Sequence, residues 1–276
     1  MEKKSFIISG PTASSKSDFA HELALRVGGT IINADSVQIY KGIEILSAAP
    51  KPAGDVPYKL YSIVEPGEKM SAGIYAGLAA AEYDAAAVPV FVGGTGFYLG
   101  ALTKGLSELP DAPRVPADYE ALEKCDPETA ARLHPNDTQR ISRALGVFMA
   151  TGKPLSSFQA APRKPALPGA PFRIAIMPPR SALLRRAEQR REFMLNNGAV
   201  DEVEKFMDMD IKANGFFEIK QWLLGKISKD EMLRLWALED AQYIKRQETW
   251  LRHQFEADMT IDHVPDEKDL ENVLGK

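Results

Sequence analysis

The segment Gly10-Pro11-Thr12-Ala13-Ser14-Ser15-Lys16-Ser17 gathers the residue types that hold a phosphate. Wrapping an anion takes successive backbone N–H groups turned into one concavity and a helix N-terminus aimed at the charge. It also takes a lysine for the outer oxygens and a hydroxyl for Mg²⁺. Gly10, Lys16 and Ser17 stand at the spacing such a loop uses, and Ser15 occupies the place where a second glycine is usual. If that place needs positive φ, a serine there costs on the order of 1 kcal/mol.

Two further motifs carry chemistry. Asp35-Ser36-Val37-Gln38-Ile39-Tyr40 offers a carboxylate with two open roles, holding Mg²⁺ through water or accepting a proton from a nucleophile. Gly93-Gly94-Thr95-Gly96-Phe97-Tyr98 lets backbone approach a ligand closely and supplies the Thr95 hydroxyl. Basic residues are gathered in three groups: Arg180, Arg185, Arg186, Arg190 and Arg191; Gln139, Arg140 and Arg143; and Lys245, Arg246, Gln247, Trp250 and Arg252. On a helix Arg186 and Arg190 are i, i+4 neighbours, able to point at one anion. Three such groups in a net-acidic chain favour directed contacts with phosphates.

The elements that must position these residues read as alternating strands and helices. Strands are expected at Ser5 to Ser9, Thr30 to Ala34, Leu60 to Val64 and Val88 to Val92. Helices are expected at Ser17 to Val27, where Phe19, Leu23 and Val27 form one apolar stripe, and at Ala72 to Ala87. Such alternation implies a parallel sheet covered on both faces, with ligands beyond the carboxyl ends of its strands. All three motifs follow expected strands, so they should share one edge of the sheet.

From Leu106 to Pro171 the chain turns to proline-punctuated, charged segments, including a helix from Asp137 to Thr151, and this reads as a helical insertion. A strand from Phe172 to Met177 returns to the sheet. Helices follow at Ser181 to Asn196, Val200 to Met209, Phe216 to Leu224 and Ser228 to His253, with a last strand at Met259 to Ile261 and a closing helix at Asp266 to Leu274.

The 276 residues, 45% hydrophobic and 26% charged, exclude collagen, coiled-coil and disulfide-scaffold classes. Cys125 is the only cysteine, which points to a reducing, cytoplasmic setting and a packing role. No stretch reaches the roughly 18 apolar residues of a membrane span, and Phe6-Ile7-Ile8 is too short for a signal-peptide core. His21, His134, His253 and His263 show no metal-ligand spacing. A formal charge of −4 argues against indiscriminate nucleic-acid binding by the whole surface.

Taken together the motifs resemble the tRNA dimethylallyltransferases, also called tRNA isopentenyltransferases, from Phe6 to Arg252. The resemblance rests on GPTASSKS at Gly10 to Ser17, DSxQxY at Asp35 to Tyr40, GGTxxY at Gly93 to Tyr98 and RIxRAL at Arg140 to Leu145. It continues through TGxPLS at Thr151 to Ser156, RxxxRxxxML at Arg186 to Leu195, GxxxEV at Gly198 to Val203 and KRQxTWxR at Lys245 to Arg252.

The resemblance implies a nucleotide-binding P-loop NTPase-like core at 1–106 and 172–276, with a helical insertion at 107–171 that contacts tRNA. It implies a transferase that uses no ATP and holds the pyrophosphate of dimethylallyl diphosphate where ATP-binding relatives hold a nucleotide, with Mg²⁺ as cofactor; a monomer is the default expectation. The acceptor would be N6 of the adenosine 3′ of the anticodon, at position 37, flipped out of its stack. Asp35, Thr12, Lys16 and Arg186 would be catalytic, with Asp35 as the general base. Diphosphate would sit on Gly10, Pro11, Thr12, Ala13, Ser14, Ser15, Lys16, Ser17 and Arg190, with Ser17 on the metal. The anticodon stem-loop would meet Asp35, Ser36, Val37, Gln38, Thr95, Gln139, Arg140, Arg143, Lys245, Arg246 and Arg252.

Several positions depart from the family pattern: Ser15, Ala49, Tyr58 to Ser62, Gly146, Phe217 and Ala241. Ser15 and Phe217 leave open a second reading, a catalytically weakened tRNA-binding relative, and a small-molecule P-loop kinase stands as an alternative from a different class of enzyme.

Overall fold

A computed structural model describes residues 3–52 and 54–275. The chain divides into two units: one runs through Thr103 and resumes at Ala166, and the other is Lys104–Pro165. The second unit overlaps the insertion expected at 107–171 and ends six residues earlier, at Pro165.

The first unit is built on a six-stranded sheet. Its elements in chain order are β1 (Phe6–Ser9), α1 (Lys16–Val27), β2 (Thr30–Asn33), β3 (Tyr58–Lys59), α2 (Ala72–Ala85), β4 (Pro89–Gly93) and α3 (Gly96–Thr103). The second unit supplies α4 (Tyr119–Cys125), α5 (Pro127–Ala130), α6 (Thr138–Thr151) and α7 (Leu155–Gln159). The first unit then resumes with β5 (Phe172–Ile176), α8 (Arg180–Asn196), α9 (Ala199–Lys205), α10 (Phe216–Leu223), α11 (Lys229–Gln254), β6 (Met259–Ile261) and α12 (Glu267–Leu274).

The strands lie in the order β3-β2-β4-β1-β5-β6, and all of the pairings are parallel. Strands buried on both faces need continuous apolar runs, and Phe6-Ile7-Ile8 and Val90-Phe91-Val92 are such runs, all at most 2% exposed. Alternation assigns the faces. Phe6, Ile8, Ile31, Val90 and Val92 pack with Phe19 and Leu23 of α1 and Leu270 and Val273 of α12. Phe91 stacks on Tyr83 of α2 at 6.5 Å on the opposite face, where Tyr75 of α2 stacks on Tyr98 of α3 at 3.8 Å.

A second core in this unit gathers Ile43, Leu46, Met194, Val203, Phe216 and Trp236. It ties the loop after β2 to the C-terminal helices. The helical unit has its own core of Leu122, Ala130, Ile141, Ala144, Val147 and Leu155. Three of its four helices are capped by acids: the side chains of Asp118, Asp126 and Asp137 accept from Ala121, Thr129 and Arg140 N–H respectively.

One strand expectation fails. The run Leu60 to Val64 is not a strand: β3 is only Tyr58–Lys59, and Leu60 and Ser62 turn to φ 63° and 47°. The chain leaves the sheet there because its N–H groups go elsewhere. Ser62 N–H donates to Gln38 C=O at 3.0 Å and Ile63 N–H to Ile39 C=O at 2.8 Å. Of its side chains Leu60 and Val64 are buried, Ile63 is exposed, and Tyr61 packs against the core on the α1 face of the sheet. The helix expected at Val200 to Met209 likewise ends at Lys205.

Candidate functional site

Three loops leave the carboxyl ends of β1, β2 and β4, and hydrogen bonds knot them together. The first, residues 10–15, leads into α1. Its Gly10 has no room for a side chain, since a Cβ would lie 2.5 Å from Ser14 Oγ and 2.6 Å from Ile176 C=O. Ala13 and Ser15 both sit in the left-handed region, at φ 65° and 66°. The position that lacks its usual glycine thus carries the strain anticipated for it. The Ser15 hydroxyl is used: it accepts from Arg186 Nη2, while Arg186 Nε donates to Ala13 C=O at 2.9 Å.

The second loop is fixed by Asn33, whose Nδ2 donates to the C=O of Asp35 and of Leu60 and whose Oδ1 accepts Asp35 N–H at 2.8 Å. Asp35 Oδ1 then accepts Val37 N–H at 3.0 Å, which sets the direction of the carboxylate. The third loop joins the second through Thr95, whose Oγ1 accepts Ser36 N–H at 2.9 Å. Gly93 is required by the packing of these two loops, because a Cβ there would lie 2.1 Å from the Ala34 carbonyl.

Gln247 of α11, absent from the inferred site, closes the knot. Its Oε1 accepts Thr12 N–H at 2.8 Å and its Nε2 donates to Gly94 C=O at 3.1 Å. In the sequence it reads as one polar residue of a basic cluster, and only its burial between two loops distinguishes it. Gly94 is glycine for the same reason, since a Cβ would meet that Nε2 at 2.2 Å.

A cavity of about 410 Å³ opens over this knot. Thr12 to Ser17, Asp35 to Gln38, Arg186 and Arg190 line it, so the structure brings together all four residues inferred to be catalytic. Gly10 and Pro11 do not face it; they shape the loop from behind. Lys212, Asn214 and Tyr243, which no motif singled out, also line it, as do residues 46–48 of the loop after β2.

Burial lowers Lys16 to a pKa of about 8, with the Asp35 charge pulling it up and Arg190 pushing it down. Burial also lowers Arg190, opposed by the charges of Asp240 and Asp35. Arg190 Nη1 donates to Thr12 Oγ1, so Thr12 is held at its N–H by α11 and at its hydroxyl by α8. Tyr243 is raised, first by burial and then by Asp35, which keeps its phenol protonated beside the carboxylate.

The arginine-rich face of α8 does not act as one phosphate clamp. Arg180 pairs with buried Glu248, and Arg191 Nη1 pairs with buried Asp240 Oδ2 at 2.7 Å. Both acids belong to α11, so these two arginines fasten helix to helix. Arg186 and Arg190 face the cavity as the i, i+4 spacing implied.

Lys245, Arg246 and Arg252 are exposed on α11; Arg246 lies 5.6 Å over the Tyr243 ring, and Arg252 is 3.9 Å from Glu248. Gln38 spends its amide on its own chain, donating to the C=O of Ser47 and Ala48. Gln139, Arg140 and Arg143 lie on α6 of the helical unit, where Arg140 pairs with Asp137 at 3.3 Å and Arg143 donates to Pro110 C=O at 3.1 Å.

His263, Asp266 and Asp269 bring ligand atoms within 4.8 Å of one another, a grouping that the histidine spacing did not foretell. Asp266 and Asp269 form the capping box of α12, and His263 pairs with Asp269 at 3.0 Å. Their proximity is that of a helix cap.

A phosphate-type loop, a carboxylate fixed across from its lysine and a parallel sheet that presents both at one edge define a P-loop-type α/β enzyme. The chain belongs to the IPP transferase family, the tRNA dimethylallyltransferases: that family's profile matches residues 38–254, and an isopentenyl transferase profile matches residues 3–55. It is 40% identical to the tRNA dimethylallyltransferase of Rhodospirillum centenum, covering 93% of this chain and 90% of that protein. It is 42% identical to that of Halorhodospira halophila, over 90% and 89% respectively. Among solved structures it is similar to the tRNA delta(2)-isopentenylpyrophosphate transferase of Staphylococcus epidermidis, with TM-score 0.72 and 25% identity over 99% of this chain and 98% of that one. It is also similar to a eukaryotic dimethylallyltransferase acting on tRNA, with TM-score 0.77 and 25% identity over 93% and 73%.

Proposed function

We propose that this chain transfers the dimethylallyl group of dimethylallyl diphosphate to N6 of the adenosine at tRNA position 37, next to the anticodon, releasing diphosphate. The observation that carries the reading is the cavity itself, in which the oriented Asp35 carboxylate shares one wall with Lys16, Arg186 and Arg190. Family membership and the names of the relatives support it.

The C1–O bond of the donor breaks as N6 forms a bond to C1, and the N6 proton passes to Asp35. Negative charge develops on the departing oxygen, where fixed cations and N–H groups stabilise it most. Lys16, Arg186 and the Thr12 hydroxyl face that oxygen in this reading. Ser17, Asp18 and Asp35 line the same cavity, and a hydroxyl with two carboxylates is a hard-oxygen set suited to Mg²⁺. Bound there, Mg²⁺ would neutralise diphosphate charge.

The exposed Lys245, Arg246 and Arg252, and Gln139, Arg140 and Arg143 of the helical unit, are assigned to phosphates of the anticodon stem-loop. Among the described residues no helix is long and apolar enough to cross a membrane, and we assign the protein to the cytoplasm as a monomer. The test is prenyl transfer to an anticodon stem-loop with adenosine at position 37, read by nucleoside mass spectrometry in the presence of Mg²⁺. The wild-type chain is expected to form N6-dimethylallyladenosine. Asp35→Asn should lose about 10²–10⁴-fold in rate, the range of a general base, and still bind pyrophosphate. Absence of prenyl transfer by the wild type refutes the reading.

A further inference from the structure

Lys212 lies outside every motif that carries the family resemblance, yet it lines the cavity. Its direction follows from its neighbours. Ala213, 4% exposed, is buried in the core around Trp236, and Phe216 is buried beside it. Asn214 Nδ2 donates to Asp240 Oδ1 at 3.1 Å, and Gly215 N–H donates to Glu239 Oε2 at 2.9 Å. Gly215 itself, at φ 88°, leaves no space for a Cβ, which would lie 2.2 Å from the Trp236 ring. Residues 213–216 are therefore fixed to α11 and the core, and the exposed Lys212 side chain projects from a fixed backbone on the cavity side.

The other cations of the cavity are already engaged. Lys16 donates to Pro11 C=O at 3.4 Å, Arg186 donates to Ala13 and Ser15, and Arg190 is shared between Thr12 and Asp240. Among the described residues Lys212 has no acceptor or ion-pair partner. A cation on a flexible stem at the mouth of an anion site gains its electrostatic partner only when the anion arrives, and lysine, a compact point charge, suits a phosphate oxygen. Asp18 and Asp35, the acids of the lining, offset two of the four cationic side chains. The remaining positive charge suits a diphosphate.

We propose that Lys212 is a diphosphate-binding residue, closing on the terminal phosphate of the prenyl donor from the wall built by residues 212–215. This rests on reading the cavity as a diphosphate site. Lys212→Met keeps the stem and removes the charge, and Lys212→Arg restores the charge. The full-length protein is titrated calorimetrically with inorganic pyrophosphate, and KM is measured separately for the donor and for the anticodon stem-loop. Lys212→Met should raise the pyrophosphate Kd and the donor KM about tenfold, the worth of one charge-assisted hydrogen bond. Lys212→Arg should recover most of the loss, and KM for the stem-loop should not move.

Unchanged pyrophosphate affinity in Lys212→Met overturns the proposal; a rise confined to the stem-loop KM overturns it in favour of an RNA phosphate contact. Pyrophosphate binding is read without prenyl transfer. A wild type that binds pyrophosphate but does not prenylate RNA therefore counts against the transferase reading alone, and one that binds no pyrophosphate overturns both.

Discussion

Replacing Ser15 separates two effects that its side chain combines. A non-glycine residue at φ 66° and ψ 21° carries about 1 kcal/mol of left-handed strain. Against that strain the hydroxyl accepts from the Arg186 guanidinium, a bond to a charged donor that contributes about 1.5 kcal/mol at the low end of its range. Ser15→Ala keeps the strain and loses the bond, so it should destabilise by about 1.5 kcal/mol. Ser15→Gly loses the bond and the strain together, which leaves about 0.5 kcal/mol of net loss. The gap of about 1 kcal/mol between the two variants isolates the strain, and in a chain of this size it corresponds to about 2–4 °C in Tm. Thermal unfolding of the three proteins under one set of conditions measures it. If Ser15→Ala melts at or above Ser15→Gly, the backbone at this position is not strained and the account of the loop is wrong.

Two other predictions concern the same loop. Lys16, with its pKa lowered to about 8, is protonated below that pH and neutral above it, and an anion binds the protonated form. Pyrophosphate affinity should fall as pH rises through 8, by up to about tenfold per unit, with proton uptake on binding near pH 8 that appears as a buffer-dependent heat; a buffer-independent heat would contradict it. Gln247→Ala leaves the N–H of Thr12 and the C=O of Gly94 without their partner, and orphaned buried groups cost about 1–3 kcal/mol. The expected result is a lower Tm and a lower kcat with little change in KM for the stem-loop, measured by melting and steady-state kinetics.

What the sequence disclosed follows the range of the forces involved. The phosphate loop, the β2 carboxylate and the glycine-rich turn were legible because each is set by a few consecutive residues between a strand and a helix. Their sharing of one sheet edge follows from parallel topology alone. The strand expected at Leu60 to Val64 went wrong because apolar periodicity shows that side chains are buried, not where their N–H groups go. Here those groups bond to the loop at 38–39. Gln247, Asp240 and Glu248 were invisible for a related reason. Their partners lie about 50 to 235 residues away, and only the packing of α8 and α11 shows that Arg180 and Arg191 are spent on buried acids, that Arg190 is divided between Asp240 and Thr12, and that Arg186 is turned to the phosphate loop.

The helical unit leaves and rejoins the chain at neighbouring points: Leu106 and Lys164 form an antiparallel bridge, and Gly105 lies so close to Lys164 that a Cβ would come within 2.2 Å of its carbonyl. An excursion whose two ends are clasped places almost no demand on its own length. The register of the strands on either side is set elsewhere, since β4 and β5 each pair with β1 outside the excursion, so a change of length in a loop between residues 106 and 164 leaves the sheet untouched.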